Sequence, residues 1–283
     1  MTIEGRVASQ ARAAPRLGAA IRDDAPATRV HWILRIGAAM CFIGHGAFGI
    51  ITKADWVPYF GAVGIPERIA YVLMPLVGAV DIAAGVAILL APAPGVLLYM
   101  AVWGLWTALL RPLSGDSIWE TLERAGNYGV PFAFLLLAGG REALRDWLAP
   151  IVPRAVPRIR LEYVATALRW ATALLLAGHG ALGAFVEKPL LAAHYAAIGL
   201  PPSIVPVIGT IEIAVAVAVL TRSGVALLAM VALWKIATES LFLVAGAPVW
   251  EFIERGGSYA APIALAVILS LQARGRVAAG DMQ

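Results

Sequence analysis

One cysteine, Cys41, is the entire thiol inventory of this 283-residue chain, and it falls inside an apolar run. An internal disulfide, a CxxC redox pair and a thiolate cluster for zinc or iron–sulfur are therefore excluded. Charge is scarce too, at 14% of residues, and only four histidines are available to titrate near neutrality. The chain also lacks a Walker loop and a dinucleotide-binding glycine fingerprint. Energy or electrons must then come from gradients, bound cofactors or partners.

Apolar residues are what the chain has in excess: 60% of the sequence is hydrophobic and the mean hydropathy is +0.80, far above what a soluble domain needs. Apolar stretches long enough to cross a hydrocarbon core of about 30 Å run near Ile33–Ile51, Ile69–Ala91, Gly95–Leu110 and Tyr128–Gly139. A second set runs near Val164–Val186, Ile204–Leu220, Gly224–Val244 and Tyr259–Leu271. The expected fold is all-α and integral to a lipid bilayer, with eight transmembrane helices.

The two sets are copies. Gly44-His45-Gly-Ala-Phe-Gly49 returns as Gly178-His179-Gly-Ala-Leu-Gly183, and Trp119-Glu120-x-x-Glu123-Arg124-x-Gly126-x-Tyr128 returns as Trp250-Glu251-x-x-Glu254-Arg255-x-Gly257-x-Tyr259. Between these phrases Arg35 matches Arg169, Asp81 matches Glu212, and Trp103 matches Trp234. An internal repeat of this kind compares the unit with itself and marks the polar residues it keeps. Four helices per unit is an even number, so the two bundles must run parallel, about a pseudo-two-fold axis along the membrane normal.

Orientation follows from Lys and Arg outside the spans, because positive residues resist translocation. One face carries thirteen, from Arg6 to Arg276, against six on the other: Lys53, Arg68, Arg111, Arg124, Lys188 and Arg255. Both termini are expected in the cytoplasm, and the membrane is expected to be a bacterial inner membrane. The net charge of +4 then reflects topology and attraction to anionic lipid headgroups, with no case for nucleic acid. The expected organisation is a disordered tail at 1–29, a first four-helix unit at 30–140, an amphipathic helix and Pro-rich linker at 141–162, a second unit at 163–273, and a tail at 274–283.

Ionisable residues inside a membrane cost several kcal/mol and are functional candidates by default. Arg35 with Asp81, and Arg169 with Glu212, are spaced to pair within each unit; the carboxylates read either as halves of structural ion pairs or as proton carriers. His45 and His179, each between glycines, admit three readings: a hydrogen bond to a neighbouring helix, a quinone or proton-relay site, or axial ligation of one b-type haem by the symmetric pair. Trp103, Trp106 and Trp234 could wall such a site or simply pack. In the Trp-Glu-x-x-Glu-Arg phrase, Glu120 with Arg124 and Glu251 with Arg255 stand four apart and can pair; Trp119, Tyr128, Trp250 and Tyr259 make it either an interfacial anchor or the mouth of a substrate or partner site. The seventh span breaks the symmetry, because Lys235 and Glu239 stand where the third has Gly104 and Ala108.

An early Arg35, the His45-Gly46 step, the Phe60-Gly-Ala-Val-Gly64-Ile-Pro66 loop and Asp81 in a glycine-rich second span resemble the DoxX/DoxD-like family of four-helix membrane proteins. The second unit keeps the order in Arg169, His179-Gly180, Ala197-Ile-Gly199-Leu-Pro201 and Glu212. The resemblance implies a four-helix bundle per unit and, for some relatives, a role as membrane subunit of quinone-linked sulfur oxidation or of redox-partner complexes. Two fused units, Asp81 in place of the commoner Glu, and the Trp-Glu-x-x-Glu-Arg phrase depart from the family pattern. The leading functional expectation is a quinone-binding subunit of an oxidoreductase: His45 and His179 hold the head group, Asp81 and Glu212 handle protons, and a redox partner supplies electrons. The competing class is a non-enzymatic carrier, transporter or assembly factor.

Overall fold

A computed structural model describes residues 24–139 and 143–280. The first half contains α1 (Asp24–Ile50), a 3-10 turn at Ala54–Trp56, α2 (Val57–Gly61), α3 (Glu67–Leu90), α4 (Pro94–Leu113), α5 (Trp119–Glu123) and α6 (Ala125–Ala138). After α7 (Leu144–Leu148), the second half follows the same order with α8 (Arg158–Ala184), α9 (Pro189–Ala196), α10 (Ile204–Arg222), α11 (Val225–Val244), α12 (Val249–Ile253) and α13 (Gly256–Gly280). No strand occurs among the described residues.

Proline sets the helix starts, because its fixed φ suits the first turn and its missing N–H is not needed there. Pro66 and Pro157 stand at the N-caps of α3 and α8, and Pro94 and Pro189 open α4 and α9. Gly64 and Gly199 take the same left-handed turn, at φ 78° and 79°, in the loops before α3 and α10.

The expected boundaries shift where helices outrun their apolar cores. α1 begins at Asp24, so residues 24–29 are helical, while the rest of the expected disordered tail lies outside the described residues. The linker is shorter than 141–162: Arg141 lies outside the described residues, α7 is only five residues long, and α8 already starts at Arg158, directly after Pro157. α13 likewise continues through the expected final tail to Gly280.

Among the described residues, six helices are long and apolar enough to cross a membrane, or seven if α8 and α9, bent by 87°, form one span. α6 is apolar but only 14 residues long. The largest core cluster draws mainly on α1, α6, α8 and α13, with residues such as Leu34, Phe134, Leu168 and Leu265 wholly buried. α3, α4, α10 and α11 flank these helices and turn large apolar residues outward, among them Val72, Leu76, Val102, Val217 and Leu233. Apolar surface this continuous is unfavourable in water and suits a bilayer.

The two halves interlock through matched contacts. On the own-half side, a Cβ at Gly78 would lie 2.5 Å from the Gly46 carbonyl, and one at Gly209 would lie 2.4 Å from that of Gly180. These glycines let α1 press on α3, and α8 on α10, at backbone contact. On the other side, a Cβ at Gly44 would lie 2.3 Å from the Glu254 nitrogen, and one at Gly178 would lie 2.2 Å from that of Glu123. Each Gly-His-Gly phrase therefore packs against the opposite half's short helix. Between α6 and α13, Gly126 and Gly257 face each other, and a Cβ on Gly257 would meet the Gly126 carbonyl oxygen at 2.3 Å.

Candidate functional site

His45 and Asp81 form the centre of the first-half site. His45 Nδ1 lies 2.8 Å from Asp81 Oδ2, and Asp81 is wholly buried. Tyr99 donates a long 3.4 Å hydrogen bond to the other Asp81 oxygen. With the carboxylate taking the Nδ1 proton, Nε2 is the nitrogen left for a ligand. The imidazole stacks on Trp56 at 4.5 Å between ring centres.

The expected ion pairs give way to other partners. Arg35 bonds the carbonyls of Ile88 (2.8 Å) and Leu89 (2.6 Å), while Arg169 takes Ser223 Oγ at 3.0 Å. The last turn of a helix leaves carbonyls unsatisfied and carries partial negative charge, so Arg35 finds acceptors at the end of α3 without reaching inward. Asp81 lies seven residues from Ile88, about 10 Å deeper along the helix, and pairs with the histidine at its own level. Glu212 repeats this choice: His179 Nδ1 sits 2.5 Å from its Oε2, and Trp234 Nε1 donates to Oε1 at 2.7 Å.

His45, Trp103 and Trp106 line one cavity of about 140 Å³, together with Trp56, Phe60, Val77, Leu110 and other mainly apolar side chains. The cavity opens beside Gly104, a position without side-chain bulk. It does not use the space beside the Gly44 and Gly46 backbones, which Glu254 and α3 occupy. Trp103 Nε1 is buried and finds no hydrogen-bond partner among the described residues. Its counterpart Trp234 reaches the longer Glu212, whereas Asp81 is one methylene shorter.

The second half does not reproduce the cavity. His179 is nearly enclosed, its side chain 6% exposed against 21% for His45. Lys235 and Glu239 replace Gly104 and Ala108, are both buried, and approach to 2.6 Å. That Nζ lies off the hydrogen-bonding direction, so its protons find no well-aligned acceptor among the described residues. Arg255 holds the other Glu239 oxygen at 2.7 Å. A buried charged pair thus stands in the second half where the first has Gly104 and Ala108.

The Trp-Glu-x-x-Glu-Arg phrases form a lock between the halves and line a polar vestibule of about 270 Å³. Arg124 bonds Glu120 (2.9 Å) and Glu123 (2.8 Å), and Arg255 bonds Glu251 (2.8 Å) and Glu254 (3.0 Å). Each cluster takes a lysine from the other half: Lys53 reaches Glu251 at 2.6 Å, and Lys188 reaches Glu120. Trp119 packs on the Leu182–Leu191 cluster and Trp250 on the Phe48–Trp56 cluster, so each tryptophan anchors to the opposite half. Tyr128 and Tyr259 bond back to the carbonyls of Thr121 (3.3 Å) and Phe252 (3.1 Å), tying α6 and α13 to these short helices.

Sequence reasoning missed Trp56, Tyr59, Tyr99 and Arg111. The aromatic run Trp56-x-x-Tyr59-Phe60, in a loop between apolar spans, was the available signal. No protein-family model matches the chain, and no curated protein or solved structure matches it significantly. Function has to be argued from the site's chemistry.

Proposed function

We propose that the chain is the quinone-binding membrane subunit of an oxidoreductase, built as two parallel, DoxX-like four-helix units. On this reading the eight spans are α1, α3, α4, α5–α6, α8, α10, α11 and α12–α13, with both termini on the cytoplasmic side. The quinone head group occupies the cavity at His45. One carbonyl accepts a hydrogen bond from Trp103, and from His45 Nε2 when the ring carries both protons, and the ring lies among Trp56, Phe60 and Trp106. Reduction of a quinone to a quinol takes two electrons and two protons. The His45–Asp81 pair can deliver protons one at a time, and the electrons come from a partner protein carrying its own redox group.

The observation that carries this reading is the buried, unpartnered Nε1 of Trp103, a side chain that lines the same mostly apolar cavity as His45. A buried donor without an acceptor costs about 1–3 kcal/mol, and a ligand carbonyl would remove that cost. Ligand cavities of this type combine apolar walls with a few converging polar groups. The haem alternative gains no such support: His45 and His179 line no common cavity among those found in the described residues.

Mild detergent extraction followed by mass spectrometry and optical spectra tests the reading. About one quinone per chain and no haem band are expected; an empty chain that also fails to take up added quinone would favour the carrier or assembly class. Reporter fusions in the α4–α5 loop near Gly115 and in the linker near Arg154 are expected on opposite sides of the membrane. The same side for both would rule out the four-span unit.

A further inference from the structure

The cavity at His45 and the polar vestibule share a wall made of Trp56, Tyr59, Arg111, Arg124 and Glu254. The other vestibule cations are matched: Lys53, Lys188, Arg124 and Arg255 each hold at least one carboxylate at hydrogen-bonding distance. Arg111 is the exception. Only Glu120 comes within reach of it among the described residues, at 4.0 Å, the limit of an ion pair. Its Nη1 donates to the Tyr59 hydroxyl at 2.6 Å, a neutral acceptor that itself donates to Asp116. Arg111 Nε is buried and has no acceptor among the described residues.

Arg111 and Trp103 stand eight residues apart on α4, with Thr107 midway between them on the same face of the helix. Eight residues correspond to about 12 Å along a helix. The cavity thus has an inner pole, His45 with Trp103, and an outer cationic pole, Arg111. Each pole has a lining side chain that carries a buried donor without a partner among the described residues. A flat ligand with oxygen atoms at opposite ends of its ring would satisfy both, and the guanidinium favours negative charge on the outer oxygen.

We infer that the site selects a head group in anionic form, with one ring oxygen at His45 and Trp103 and a negatively charged oxygen at Arg111. The chemical class is a hydroxyquinone anion or a deprotonated quinol. This rests on the quinone reading above and adds to it a charge preference and the residue that sets it.

The test uses the full chain in lipid nanodiscs and two probes with the same alkyl tail: a 2-hydroxy-1,4-naphthoquinone, ionised at neutral pH, and its uncharged 2-methoxy ether. Binding is followed by quenching of tryptophan fluorescence. The hydroxyquinone is expected to bind about tenfold or more tightly than the ether, since hydrogen bonds to charged groups are worth about 1.5–3 kcal/mol. Arg111→Gln is expected to remove most of that ratio while weakening the ether far less, and Arg111→Lys, which keeps the charge, to retain part of it. Equal affinities in the unsubstituted chain, or a parallel loss of both probes in Arg111→Gln, would overturn the charge preference and leave the quinone reading standing. Failure of both probes to bind the unsubstituted chain would remove the quinone reading and this inference together.

Discussion

The two halves share most of the contacts that join them and differ in what surrounds their histidines. Both use a histidine–carboxylate pair, a glycine contact between their first two long helices, and a lysine crossing to the other half's glutamate. Around the histidines they part. The first half has Tyr99, Gly104, Ala108 and Arg111 where the second has Met230, Lys235, Glu239 and Phe242. The first set leaves a cavity with unpartnered donors; the second fills the position with a charged pair and lets Phe242 pack under Arg255 at 3.8 Å. Retained contacts therefore report the scaffold, and lost symmetry reports the site.

The largest effect is expected at the point where α6 and α13 touch. Gly126→Leu or Gly257→Leu places a side chain where even a Cβ would overlap the facing backbone. Overpacking typically costs about 1–3 kcal/mol or more, so both variants should lose most of their folded yield, measured by size-exclusion chromatography after extraction. Gly61→Leu, with open space around it, serves as the neutral control. Tolerance at either central glycine would break the equivalence of the halves.

Next comes exchange of the diverged pair. Gly104→Leu is expected to weaken ligand binding and also to lower the folded yield, because even a Cβ there would lie 3.3 Å from the Asn127 carbonyl oxygen on α6. Lys235→Gly with Glu239→Ala is expected to raise the binding stoichiometry from one ligand per chain toward two. An unchanged stoichiometry would mean that something besides these two side chains closes the second half. Glu239→Leu alone should be worse for stability than the double variant, because it leaves buried Lys235 without an ion-pair partner among the described residues, at about 3–5 kcal/mol, whereas Lys235→Met would leave Glu239 still held by Arg255; thermal melts of the two variants decide it.

The smallest effects separate the two arginines. Arg35→Met removes two hydrogen bonds to carbonyls at the end of α3, a net loss of about 1 kcal/mol. Arg169→Met removes a single bond to a serine hydroxyl, and its melting midpoint should fall by less. Equal shifts would show that the two cations do the same work in spite of their different partners.

Much of this was legible in the sequence because the repeat exposed it. The helix order, the histidine positions and the i,i+4 pairs Glu120–Arg124 and Glu251–Arg255 follow from periodicity and spacing alone. The Arg35–Asp81 pairing did not hold, because spacing along two antiparallel helices gives levels but not the rotation of each helix. An arginine near a helix end also has carbonyls to bond that no residue pattern reveals. The glycines flanking His45 are visible in the sequence, yet one of the partners they admit, Glu254, lies about two hundred residues away in the other half, and only the packing brings it there. Arg111 escaped notice because an arginine at a span end ordinarily reads as a topology signal, and its isolation from carboxylates is visible only in three dimensions.

The most direct test compares His45→Gln with His179→Gln, each reconstituted in nanodiscs and titrated with a short-tailed quinone. The unsubstituted chain should bind one equivalent, His45→Gln should lose binding by about fivefold or more, as expected when a hydrogen bond to the head group is removed, and folded His179→Gln should bind as the unsubstituted chain does. Equal losses in the two variants, or two equivalents bound by the unsubstituted chain, would contradict the assignment of the ligand site to the first half alone.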